Sequence, residues 1–339
     1  MIFTGILLSL LQFIHNRSLW LDESLLAINI INKSHVELLK PLDLGQVAPI
    51  LFLEIEKVFS DLIPNSEFGL RLFPMISFWI SLLAFYKIVK TIHHTSHTII
   101  FSLSLFILNV TMLYYSAEVK QYMSDVLIST CVYLLTLQVD TKDTYTYISL
   151  CIVGILSIFL SHIAPIILCT VCIYLLADYY INTTYNRIHL ITISSVWACT
   201  FALYYYIFIH NHPLRTYMIA YWGSHKCFMP INPLKKDFYQ FLRDSIGIIA
   251  YDLFRFGKVG GIGLTILTLI GLIRLITQRA VGVIILAITP LIAHLLLSAF
   301  KLYPFDTRLI LYTCPCIILM CSSGFNYLVS LFSVTVHHA

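Results

Sequence analysis

The sequence predicts an all-α fold, a polytopic membrane protein of about ten transmembrane helices, on three observations. Hydrophobic residues make up 59% of the 339-residue chain and charged residues only 11%. Soluble domains carry about a quarter charged residues. Apolar runs recur along the whole length and approach the roughly 20 residues needed to cross about 30 Å of hydrocarbon. The few ionisable groups gather between these runs instead of spreading along them, so each one near the bilayer has a cost and calls for a reason.

The first run, 2–14, lacks a basic flank and a small-residue cleavage site, so it reads as an uncleaved span and not a removable signal. Further runs fall near 68–90, 97–115, 119–138, 146–161, 163–181, 188–209, 259–277, 280–300 and 309–333. Two regions between them are long, about 15–67 and 210–258, and the other connections are short. The expectation is one transmembrane domain over 1–339 with no linker or repeat.

An even number of spans puts both long loops on the side opposite the termini. Lys87, Lys90, Lys142, Arg187, Arg274 and Arg279 lie in short loops on the terminal side, which suits the cytoplasm. Most Lys and Arg, however, lie in or beside the long loops. The net charge of +4 is spread over many loops without a basic run, so nothing points to nucleic acid. The nine cysteines sit mostly inside apolar runs with no CxxC spacing, and Cys314 and Cys316 are expected to pack in a helix.

Within the first long loop, Leu25, Leu26, Ile28, Ile30 and Ile31 form a helix-like apolar set behind Asp22 and Glu23. This predicts an interfacial helix with its apolar side toward lipid. A second such helix is expected over 48–62, opened by Pro49. The stretch 40–46 between them, with Pro41 and Gly45, reads as a turn.

Three polar clusters carry the chemistry, all predicted on one side. The first is Trp20-Leu21-Asp22-Glu23-Ser24, two carboxylates just outside the first span. Its bland reading is a helix N-cap at Asp22 and a solvated charge at Glu23. The second, 114–122, places Glu118, Gln121, Tyr122 and Asp125 on one helical stripe with Lys120 pointing elsewhere. A structural interhelix network is the bland alternative there. The third, 301–308, ends in Arg308, whose planar fork suits a phosphate. Snorkelling to headgroups is the bland reading of Arg308, and Tyr303 equally suits an aromatic belt.

Taken together these stretches resemble the GT-C membrane glycosyltransferases, including protein O-mannosyltransferase and aminoarabinose-transferase-like, family 39-like members. The resemblance rests on Trp20-Leu21-Asp22-Glu23, Lys40-Pro41-Leu42 through Gln46-Val47-Ala48-Pro49, and Glu67-Phe68-Gly69-Leu70-Arg71-Leu72-Phe73-Pro74. It continues with 114–122, Tyr221-Trp222, Phe228-Met229-Pro230 and Tyr303-Pro304-Phe305 with Arg308. The motifs follow one another in family order over most of the chain.

The resemblance implies transfer of a sugar from a polyprenyl-phosphate donor to an acceptor on the extracytoplasmic face, with inversion. Asp22 matches the family's catalytic acidic position and is the expected base, with Glu23 beside it. Lys120 and Arg308, helped by the Tyr122 and Tyr303 hydroxyls, are expected to hold the departing phosphate. Glu118, Gln46 and His162 are expected in supporting or acceptor-side positions. Two or three of the carboxylates have the chemistry to ligate Mg²⁺ or Mn²⁺, and the metal is left unassigned.

Many relatives carry a soluble domain after the last span, whereas this chain stops soon after it. That points to a small or lipid-linked glycan acceptor recognised by the loops, within membrane lipid. His210, His212, Arg215, His225, Lys226, Lys235 and Lys236 of the second loop are available for it. The implied location is a bacterial inner membrane with the site facing the periplasm. The competing class is a transporter or lipid scramblase with a polar cavity, which predicts charges near mid-membrane and broken helices or repeats. An idle scaffold of the same fold predicts loss of the acid or the cations.

Overall fold

The computed structural model describes residues 1–64, 67–139, 143–182 and 187–337, and Lys142 lies outside them. Among the described residues sixteen α-helices account for nearly all of the regular structure, and there is no strand. In chain order they are α1 (Ile2–His15), α2 (Leu21–Asn32), α3 (His35–Leu38), α4 (Ile50–Leu62), α5 (Glu67–Ile92), α6 (Ser96–Ile107), α7 (Val110–Tyr115) and α8 (Tyr122–Gln138). There follow α9 (Thr144–Leu160), α10 (Ala164–Asn182), α11 (Arg187–Tyr204), α12 (Arg215–Ser224), α13 (Lys236–Gly247), α14 (Gly257–Thr277), α15 (Val281–Ala299) and α16 (Cys314–His337).

All ten predicted apolar runs coincide with helices, but among the described residues six helical stretches are long and apolar enough to cross a membrane. These are Glu67–Ile92, Ala164–Ile181, Arg187–His210, Gly257–Thr277, Val281–Ala299 and Leu311–Leu331. The helices α1, α6 and α9 are apolar but shorter, and at 1.5 Å per residue they reach only about 18 to 26 Å. The run 97–115 proves to be two helices because Asn109 interrupts it. Its side chain accepts the Met112 N–H at 2.9 Å and caps α7, an N-terminal signal inside an apolar stretch.

Two apolar clusters hold the molecule together. The larger joins α5, α6, α8, α9, α10, α15 and α16, with Phe78, Phe85, Phe106, Val126 and Ile318 removed from solvent. Here α14 and α16 touch backbone to backbone. A methyl added at Gly271 would lie 1.7 Å from the Met320 carbonyl oxygen, so only glycine admits this approach.

The smaller cluster lies within the first loop, where Leu26, Ile30, Leu38, Phe52 and Leu53 pack with Leu70 and Phe73 of α5. Burying such side chains contributes about 1.5–3 kcal/mol each. This corrects the expectation for α2. Its apolar residues do not all turn to lipid: Leu26 and Ile30 enter a protein core, while Ile28 and Ile31 remain exposed. The turn expected between the two loop helices is present, with Leu44 and Gly45 both left-handed at φ 59° and 71°. Gln46 N–H closes it on the Asp43 carbonyl at 3.3 Å, the arrangement of a type I′ turn.

The second long loop is also built. It holds α12 and α13, flanked by π-helical turns at Tyr205–His210 and Ile248–Asp252. Its stretch 227–229 is pinned to the 303–308 segment. The Cys227 carbonyl accepts from Phe305 N–H at 2.7 Å and from the Ser298 hydroxyl at 3.2 Å. Met229 N–H in turn donates to the Ser298 hydroxyl at 3.0 Å.

Candidate active site

The helix α2 starts with Trp20 as its N-cap residue, and Glu23, three positions on, reaches back to the Trp20 N–H at 3.3 Å. Asp22 is therefore not the cap. It projects from the first turn and is met by two cations from distant parts of the chain. Lys120 Nζ lies 3.0 Å from Asp22 Oδ1, and Arg308 Nη1 lies 2.9 Å from Oδ2. Gln46 joins the pair, its Oε1 accepting from Lys120 Nζ at 2.8 Å and its Nε2 donating to Asp22 Oδ1 at 3.4 Å.

Each partner has a local reason to be there. The segment 116–121 is not helical and α8 begins only at Tyr122, so Glu118 and Lys120 are not governed by helical spacing. This overturns the expected stripe: Lys120 points into the site, Glu118 turns away from it, and Asp125 on α8 accepts a hydrogen bond from the Ser161 hydroxyl. Gln46 is positioned by Asn29 of α2, whose side chain accepts the Asp43 N–H at 2.8 Å and donates to the Asp43 carbonyl at 3.2 Å. Arg308 follows a segment held from α15, where His294 Nε2 donates to the Pro304 carbonyl at 2.9 Å.

Arg308 lies in an aromatic cage. Its guanidinium carbon is 5.3 Å from the Trp222 ring centre, 5.7 Å from Tyr122 and 5.9 Å from Trp20. Such contacts hold an arginine fork in place and leave its N–H groups to an anion, here the Asp22 carboxylate. Trp222 belongs to α12, so the second loop reaches the site through it. Tyr122 serves Arg308 with its ring face, and Tyr303 packs its ring edge-on to His294 at 5.2 Å.

Behind this site lies a second ionic group. Glu23 is fully buried, with Oε2 on Arg17 Nη1 at 2.8 Å and Oε1 accepting the Val119 N–H at 3.0 Å. Glu118 accepts from Trp20 Nε1 at 3.2 Å and faces Arg17 Nη2 at 3.6 Å. Arg17 stacks on Tyr114 at 4.2 Å. Arg71, fully buried on α5, donates to Asn16 Oδ1 at 3.0 Å and to the Arg17 carbonyl.

The electrostatics separate the two groups. Burial alone would raise the Asp22 pKa, but Lys120 and then Arg308 outweigh it, and the carboxyl stays below its usual range. Glu118 goes the other way, pushed up to about 7 by burial and then by Glu23.

Asp22, Gln46, Lys120, Arg308 and Tyr122 thus meet in one place. Glu23 and Glu118 lie behind it. His162 stands apart, in the turn before α10, with both ring nitrogens buried and without a hydrogen-bond partner among the described residues. Burial, then His212, pushes its imidazole down to about 4. The three carboxylates diverge onto cations, and among the described residues no three His, Cys, Asp or Glu side chains gather around a metal-sized space.

Arg17, Arg71, Asn29, His294 and Trp222 had no assigned role. Arg71 was detectable as a charge inside an apolar run. Trp222 lay in the Tyr221-Trp222 motif, and Arg17, Asn29 and His294 carry no local signal.

No protein-family model, curated protein or solved structure matches this chain.

Proposed function

We propose that this protein is a membrane glycosyltransferase that moves a sugar from a polyprenyl-phosphate donor to a small or lipid-linked glycan acceptor. One observation carries the reading: a carboxylate and two cations from three separate parts of the chain meet at hydrogen-bond distance. The reaction needs this set. The acceptor hydroxyl loses its proton as it attacks the anomeric carbon, and a fixed carboxylate such as Asp22 takes it. The lipid phosphate leaves as an anion, and Lys120 and Arg308 stabilise it.

In this proposal Glu23 and Glu118 hold the site's geometry and Gln46 orients Lys120 and Asp22. The shorter helices α1, α6 with α7, α8 and α9 complete about ten spans, tilted or embedded among the longer ones. The long loops then face the outside of a bacterial inner membrane, where lipid-linked sugars are consumed.

Reconstitution in vesicles with polyprenyl-phosphate sugars tests the reading, comparing wild type with Asp22→Asn. A loss of about 10²–10⁴ in transfer rate is expected. Equal transfer by both proteins removes Asp22 as the base, and no transfer of any such sugar by wild type removes the function.

A further inference from the structure

The two cations of this site are already engaged. Both oxygens of Asp22 are taken, one by Lys120 and the other by Arg308, and Lys120 is 5% exposed. A base held in this way is poor, because a carboxylate paired with two cations has little affinity for a further proton. A phosphate site held in this way is occupied by the protein's own anion. Each problem resolves the other if the donor and Asp22 compete for the same two cations.

We propose that Asp22 is the resident counter-ion of an anion site, and that the donor's phosphodiester displaces it from Lys120 and Arg308 and so releases its carboxylate for proton abstraction. This rests on the reading of Lys120 and Arg308 as the donor-phosphate pair. Displacement leaves a half-buried carboxylate with Gln46 as its remaining hydrogen-bond partner. The acceptor's O–H bond then breaks toward Asp22, its oxygen bonds to the anomeric carbon, and the carbon–oxygen bond to phosphate breaks with its electron pair going to phosphate. The base is active only while a donor is seated, so donor binds before acceptor chemistry begins and stray hydroxyls are not deprotonated.

The Arg308 cage makes the exchange mechanically simple. Trp20, Tyr122 and Trp222 surround the guanidinium carbon at 5.3–5.9 Å independently of the anion it binds, so exchanging that anion leaves the cage in place. The charged and titratable groups around Asp22 are Lys120 and Glu118 from 116–121, Tyr122 from α8, and Asp306 and Arg308 from the segment after α15.

The test uses the full chain in nanodiscs and a short-chain prenyl phosphodiester, a strong acid that stays singly ionised throughout the measurement. Isothermal titration at pH 5 in two buffers of different ionisation enthalpy reports protons taken up on binding. Wild type is expected to take up a measurable fraction of a proton, and Asp22→Asn none. Asp22→Asn is also expected to bind the diester roughly tenfold tighter, because the internal competitor is gone.

Saturable binding that needs Lys120 and Arg308 but shows no proton uptake overturns the displacement while leaving the phosphate site intact. Binding unaffected by Lys120→Gln and Arg308→Gln, or no binding at all, overturns both. The proton measurement on wild type stands alone if Asp22→Asn does not fold.

Discussion

Glu23 Oε1 accepts the Val119 N–H at 3.0 Å, and this bond sets the register of the whole site. Asp22 and Lys120 are the immediate neighbours of its two ends. Tying Glu23 to Val119 therefore brings the carboxylate and ammonium within 3.0 Å without either having to find the other. The second Glu23 oxygen is held by Arg17, so the tie is itself anchored.

Glu23→Ala is expected to destabilise the protein by about 1–3 kcal/mol, because it leaves the buried Val119 N–H without its acceptor and the part-buried Arg17 without its closest partner. Glu23→Gln keeps an acceptor for Val119 N–H and is expected to lose less. Thermal unfolding in detergent measures both. Equal stability of Glu23→Ala and wild type would show that the tie is not structural.

Arg308→Lys retains the charge but loses the planar fork and the guanidinium's contacts with Trp222, Tyr122 and Trp20. The expected outcome is a rise of about tenfold or more in the KM for donor, corresponding to roughly 1.4 kcal/mol. Steady-state kinetics over a donor series reads this directly.

Trp222→Ala removes the contact by which the second loop reaches Arg308. A cation–π contact contributes about 0.5–2 kcal/mol, so kcat/KM should fall by about 2- to 30-fold with the fold intact. An unchanged kcat/KM would detach the second loop from the site.

Glu118 sets a pH dependence of stability. Its folded pKa of about 7 lies above the ordinary 4.5, so the native state holds this proton more tightly than the unfolded chain. The stabilisation is complete below pH 4.5 and is lost as pH rises through about 7. The Tm difference between wild type and Glu118→Gln should therefore shift against wild type between pH 5 and pH 8, and a constant difference would refute the assignment.

Gly271→Ala should lower Tm markedly, since its methyl meets the Met320 backbone oxygen and the two helices must separate. Gly263→Ala on the same helix, where nothing lies within 4 Å, is the matched control and should change Tm little.

Much of this was legible in the chain itself. The Trp20–Ser24 stretch announces a site because two carboxylates beside an apolar span have a cost. Pro41 and Gly45 announce the turn that carries Gln46, and Arg308 announces an anion partner. Helical spacing failed at 116–121, where the backbone is not helical and Lys120 turns inward. At 97–115 one apolar run proves to be two helices, since hydropathy averages over the Asn109 cap.

The sequence alone determined an all-α, membrane-type chain and its short inventory of ionisable groups. Run length and charge scarcity are local properties, and apolar helices follow from them. Only the tertiary structure decided that Asp22 binds Lys120 and Arg308 while Glu23 binds Arg17 and Val119. Arg17 is six residues from Glu23, but the other partners lie 96 to 286 residues away and are selected by packing of the loop cores, which no local pattern encodes.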